Sequence, residues 1–185
     1  MPAVNKSVDV DAPDYFLSTI VRPLAERGYY VFPVHLVKRV MEDDGLADAD
    51  MVHSADPVVL ASLFGADSVL YVSIERWDAK YAVFSTTVTV DFKYQLKSGT
   101  TGEELWATKQ HMVYTPQNNN NSGSPLADLI AAAITAAIEK AAPNYIPLTQ
   151  QANALALGSR YRGLPAGPFH PQYLKDQADF EGLPK

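Results

Sequence analysis

The sequence contains no cysteine. Disulfide staples and thiolate metal sites are thereby excluded within it. The compartment stays open, because cytosolic and periplasmic domains alike can lack the residue. Long apolar runs are missing too: none reaches the roughly 18–20 residues that cross a bilayer. Positive charge is sparse. Fifteen Lys and Arg face 21 Asp and Glu, for a net charge of -6, and Lys38-Arg39 is the only adjacent cationic pair. A nucleic-acid binder would carry a basic face, so that class is set aside. Met1-Pro2-Ala3-Val4 shows neither the charged nor the apolar region of a signal peptide. It reads as the tail of a strand, with any targeting segment lying upstream.

Catalytic signatures are also lacking. No serine sits in G-x-S-x-G, and there is no thiol nucleophile. His35, His53, His111 and His170 do not pair at i, i+3 or i+4, the spacing of a helical zinc site. The acidic stretch Glu42, Asp43, Asp44, Asp48, Asp50 lacks the alternation and the distal Glu of a calcium loop. It reads as solvated loop. Gly99-Thr100-Thr101-Gly102 joins two strands, whereas a phosphate cradle opens a helix. Glu75, Asp78 and His111 are what remains for acid–base chemistry, and exposed charges at strand ends are far commoner than catalytic ones. The expectation is a non-enzyme without metal or cofactor.

What is present is a foldable pattern. At 185 residues and 47% hydrophobic, the chain can bury a sizeable core. Asp11-Ala12-Pro13-Asp14 starts a helix, with Phe16, Leu17, Ile20 and Leu24 at helical spacing and Gly28 as its stop. Pro23 predicts a kink or break within it. Tyr29–Phe32 reads as a short strand closed by Pro33. Leu36, Val37, Val40 and Met41 predict a second helix, and Ser54-Ala55-Asp56-Pro57 caps a third that Gly65 ends.

Three strands follow. Leu70, Val72 and Ile74 share one face, and Asp78-Ala79-Lys80 reads as a tight turn. Ala82 to Leu96 alternates apolar against polar over an unusual length. Leu105 to Tyr114 returns after a loop at 98–102. Ser124-Pro125 then predicts a helix carrying Leu126, Ile130, Ile134 and Ile138, and Leu148 to Leu157 a short one stopped by Gly158. Residues 159–185 read as an extended arm on a surface or a disordered tail. The expected fold is α+β: a mixed sheet with a three-strand antiparallel meander and helices on one face. Domain division is expected as a sandwich core over 1–142 and a C-terminal helix and arm over 143–185.

Several blocks resemble a bacterial lipoprotein family of unknown function that includes a meningococcal surface-antigen candidate. They are Pro2–Ser7, Leu17-Ser18-Thr19 and above all Pro23-Leu24-Ala25-Glu26-Arg27-Gly28-Tyr29-Tyr30-Val31-Phe32-Pro33-Val34. Asp44-Gly45-Leu46, Phe64-Gly65-Ala66-Asp67, Thr101–Trp106, Leu164–Pro168 and Pro171-Gln172-Tyr173 are similar as well. The resemblance implies a fold related to the curli-secretion lipoprotein and the amino-terminal domain of TolB. It also implies an outer-membrane lipoprotein facing the periplasm, anchored by an N-terminal lipid on a cysteine upstream of this sequence. Partners would be envelope proteins or further copies of the chain, as a homodimer or higher homo-oligomer.

A non-enzymatic scaffold or interaction module of the envelope is the leading reading, with a small-molecule or glycan-binding module as the alternative. The candidate interface residues are Tyr81, Val83 and Thr87 on the long strand, and Tyr161, Phe169 and Tyr173 on the arm. The alternative places a ligand pocket near Tyr30, Tyr71 and Trp106.

Overall fold

A computed structural model describes residues 1–82, 85–114, 132 and 145–180; the side chains of 79–82, 85, 86, 114 and 177 are left aside. The elements run β1 Val4–Asn5, α1 Ala12–Glu26, α2 Val34–Asp43, α3 Ala49–Ser54, α4 Pro57–Phe64, β2 Ser68–Ala82, β3 Ser85–Ser98, β4 Glu104–Tyr114 and α5 Ile146–Gly158, with a 3-10 turn at Gln177–Phe180. The strands form one mixed sheet in the order β1-β2-β3-β4. β1 pairs parallel to β2 through Val4 with Ser73 and Asn5 with Ile74. The other two pairings are antiparallel. The α+β class and the mixed sheet with its meander stand as expected.

The inner face of the sheet follows the alternation. Val72, Ile74, Val88, Val90, Phe92, Tyr94 and Leu96 are buried there with Trp106. From α1, Phe16 is fully buried and meets Phe92 edge-on at 5.0 Å and Tyr94 at 6.0 Å between ring centroids. From α5, Leu148, Ala152, Ala156 and Leu157 close the same cluster, and Leu164 beyond the helix is fully buried in it. α5 and Leu164 are thus part of the main core.

A chain of hydrogen bonds crosses this core. Tyr94 Oη donates to Asn153 Oδ1 at 2.6 Å, Asn153 Nδ2 donates to Thr19 Oγ1 at 2.9 Å, and Thr19 Oγ1 donates to the Phe16 carbonyl at 2.7 Å. Three buried polar side chains are satisfied by one another, as a low-dielectric interior requires. Burial pushes the Tyr94 phenol well above its usual range.

The structure corrects several local expectations. α1 runs unbroken through Pro23 to Glu26. Pro23 lies in its last turn and is buried, so packing holds a helix that one missing N–H would otherwise loosen. Tyr29–Phe32 is not a strand; Tyr29 and Val31 pack against the core from irregular backbone. The acidic stretch is not all loop. Asp48 accepts from the backbone N–H groups of Asp50 and Met51 and so caps α3. Asp56 caps α4 in the same way, and Gly65 ends α4 with φ of 64°.

Asp78-Ala79-Lys80 is not a turn either. β2 continues to Ala82, with Asp78 opposite Thr89 and Tyr81 opposite Thr86. A register shift between Ile74 and Arg76 resets the alternation there. It moves Trp77, rather than Arg76, to the inner face, where Trp77 is buried beside Phe92 and Tyr145. The helix expected after Ser124 lies outside the described residues.

Helices do not stay on one face. Val69 and Tyr71 point away from the inner face, and a second cluster covers them: Met41 of α2, Val52 of α3, and Leu60 and Ala61 of α4. The arm over 159–180 lies on the surface, the first of its two expected alternatives. It is latched to the end of α1. The Phe169 N–H donates to the Gly28 carbonyl at 3.0 Å and the Gly167 N–H to the Arg27 carbonyl at 2.8 Å. Arg27 in turn donates to the Leu164 carbonyl and to Asp176 Oδ2 at 2.8 and 3.2 Å. Gly28 has φ of 82°, and a Cβ there would lie 2.3 Å from the His170 nitrogen.

Candidate functional site

The acid–base candidates are spread along the sheet as ion pairs. Glu75 accepts from Lys6 Nζ at 3.0 Å, and that hydrogen bond holds its carboxyl below the usual range. Asp78 accepts from Arg76 at 3.0 Å. His111 meets Asp91 through Nδ1 and stands mostly exposed. The imidazole's partner is thus the Asp91 carboxylate on the neighbouring strand. Among the described residues no group of three or more His, Cys, Asp or Glu could hold a metal.

Tyr30, Tyr71 and Trp106 are not brought together. Tyr30 lines an apolar cleft of about 140 Å³ with Phe32, Val34, Val37, Phe64 and Leu164. Tyr71 lies in the second cluster on the other face, edge-on to His53 at 5.0 Å and under Lys97 Nζ at 5.1 Å. Trp106 packs on the inner face, and its Nε1 donates to the Arg162 carbonyl at 3.1 Å. The cleft arises because the segment 29–34, between α1 and α2, gives up strand pairing to turn its apolar side chains toward the start of β2. The sequence pattern there, a short apolar run, does not distinguish the two outcomes.

His53 is half-buried and donates from Nε2 to the Pro2 carbonyl at 3.0 Å. Burial lowers its pKa against the smaller opposing effect of that hydrogen bond. A base with a depressed folded pKa takes its proton more readily when unfolded, so stability falls as pH drops below about 6.5. Urea midpoints measured from pH 7.5 to 5 should decline, and His53→Gln should flatten that decline over the same window.

The candidate interface residues divide by segment. Tyr81 lies on β2, Val83 lies outside the described residues, and Thr87 of β3 is half-buried. On the arm, Tyr161, Phe169 and Tyr173 are exposed at 57%, 78% and 42%, and Leu174 at 61%. Tyr161 and Leu174 also have positive φ, 69° and 60°, an uncommon conformation for bulky residues. Sequence reasoning missed the apolar residues that α2 and α4 expose, Leu36 with Val40 and Val59 with Leu63. Their i, i+4 spacing marks one stripe per helix. A short helix gives no sign in its sequence of which stripe is covered. Seven of the 21 carboxylates lie between residues 42 and 67, a stretch without Lys or Arg. The remaining fourteen nearly balance the fifteen cations, so the net negative charge belongs to this helical layer.

Comparison with known proteins places the chain in a lipoprotein family. The profile of the family described as "Putative lipoprotein GNA1162-like" matches residues 1–169. A curated relative, "Putative lipoprotein NMB1124/NMB1162" of Neisseria meningitidis serogroup B, is 32% identical over 142 residues, 77% of this chain. The aligned stretch is 63% of that relative's length, so this chain spans less than two thirds of it. The crystal structure of lipoprotein GNA1162 from Neisseria meningitidis superposes with a TM-score of 0.61 at 31% identity, covering 76% of this chain and 96% of that one. A dodecameric PelC variant from Paraburkholderia phytofirmans is looser, at 19% identity and a TM-score of 0.42 over 80% of this chain and 84% of that one.

Proposed function

The chain belongs to the GNA1162-like family of lipoproteins, and from that membership we propose that it is a non-enzymatic interaction module of the bacterial cell envelope that associates with further copies of itself. The observation that carries this reading is the arm, which holds four large apolar side chains 42–78% exposed on backbone tied down at Gly28 and Arg27. Exposed apolar groups on an ordered segment mark contact surfaces. Ordering them in advance lowers the entropy cost of association.

Sedimentation equilibrium tests the reading. Self-association should rise with concentration, and Phe169→Ser with Tyr173→Ser should weaken it at least tenfold without loss of fold. A clean monomer at millimolar concentration would remove the self-association part. The envelope placement has its own test. Palmitate labelling of the full-length native product, with membrane fractionation, should put label in the outer-membrane fraction. An unlabelled soluble product would overturn the lipid-anchored, periplasm-facing arrangement.

The apolar cleft favours a second reading, ligand binding. Its walls are mainly apolar, which suits an apolar ring or short alkyl group better than a glycan, since sugars need several placed hydrogen-bond partners. A thermal shift with apolar fragments, absent with wall-derived sugars, is the outcome this reading expects.

A further inference from the structure

We infer that copies of this chain meet with the arm of one against the acidic helical layer of the next, an inference that rests on the self-association proposed above and names its two surfaces. The two segments differ in charge, and both expose apolar groups. The arm over 159–180 carries Arg160, Arg162 and Lys175 against Asp176 and Asp179, and Asp176 is already paired with Arg27, while residues 42–67 carry seven carboxylates and no Lys or Arg.

Within one copy the two surfaces do not neutralise each other. Arg160 pairs with Asp179 at 2.9 Å, while on the acidic side Asp43 pairs with Arg39 at 3.1 Å. Among the described residues no salt bridge joins 159–180 to 42–67. Both surfaces have apolar partners to offer. Tyr161, Phe169 and Leu174 stand out from the arm, and Met51, Val59 and Leu63 from α3 and α4.

Exposed ion pairs alone are worth little, so the apolar groups supply most of the contact and the charges fix which surfaces meet. Because the two surfaces differ, the contact is heterologous. It closes into a ring or a reciprocal pair, or runs on as a filament.

Charge exchange tests it directly. Asp44→Lys with Asp50→Lys alters the acidic layer and spares the caps Asp48 and Asp56. Arg160→Glu with Arg162→Glu alters the arm. Arg162→Glu alone spares the Arg160–Asp179 pair and controls for a local folding defect.

Each altered protein should self-associate at least tenfold more weakly than the wild type at low salt, and the wild type should weaken as salt rises. An equal mixture of the acidic-layer and arm variants should associate again. If the wild type associates but the arm or acidic-layer changes leave it unaffected, this pairing is wrong and the self-association reading stands. The pairing also fails if both variants lose association and the mixture does not restore it. If the wild type is monomeric throughout, both inferences fall together.

Discussion

Phe16→Ala should lower the free energy of unfolding by about 3–5 kcal/mol, the usual range for deleting a buried phenyl ring. α1 touches the sheet through aromatic contacts at Tyr15, stacked on Trp77, and more deeply at Phe16. The Phe16 ring is fully buried and lies edge-on to Phe92 and tilted to Tyr94. An alanine there removes apolar area and leaves a cavity that rigid β3 cannot collapse to fill. The same change weakens two ring–ring contacts, each worth roughly 0.5–1.5 kcal/mol beyond area. Urea denaturation followed by circular dichroism reads the loss as a lowered midpoint at unchanged slope. A loss below about 1 kcal/mol would mean that the α1–sheet packing is wrong. Phe16→Leu keeps most of the volume and should cost less than half as much.

The second large effect is at Gly28. Gly28→Ala forces a residue with a Cβ into φ of 82°, and the new carbon would sit 2.3 Å from the His170 nitrogen and 2.8 Å from its Cα. Both obstacles are backbone, so no side-chain rotation relieves them. The left-handed conformation alone costs about 1 kcal/mol in an alanine. The clash adds more, until the arm lets go of the Gly28 carbonyl. Release carries away the buried Leu164 and the Tyr29 hydroxyl's bond to the Pro165 carbonyl at 3.0 Å.

The expected result is a loss of about 2–4 kcal/mol. Cleavage by trypsin at Arg160 and Arg162 should become rapid while the sheet stays folded. An arm that remains protease-resistant in the variant would contradict the latch.

Much of this architecture is legible from local chemistry. Gly65 stops α4 because it can adopt a left-handed φ, and Asp56-Pro57 starts it for equally local reasons. The inner face of β3 follows from strict alternation between Val88 and Leu96. The failures share a cause: long-range packing decided them. Pro23 stays helical because a buried turn holds it. Tyr29–Phe32 carries a strand's residues but finds no strand to pair with. The shift near Glu75 sends Trp77 inward, and nothing in Glu75-Arg76-Trp77-Asp78 announces it. Of the candidate surfaces, the arm's aromatics were readable because proline and glycine keep that segment out of regular structure. The stripes on α2 and α4 were not, because exposure depends on what fails to cover them.

The hydrogen-bond chain from Thr19 through Asn153 to Tyr94 has a consequence for the order of events during synthesis. Its members are separated by up to 134 residues. A nascent chain that has delivered α1 and the whole meander still lacks α5 and Leu164, so Phe92, Tyr94 and Trp106 face water on the side those residues will seal. Closing such distant contacts comes late and slowly. The polypeptide commits to its native state only when α5 and Leu164 have left the ribosome, and until then it remains pliable enough to be threaded.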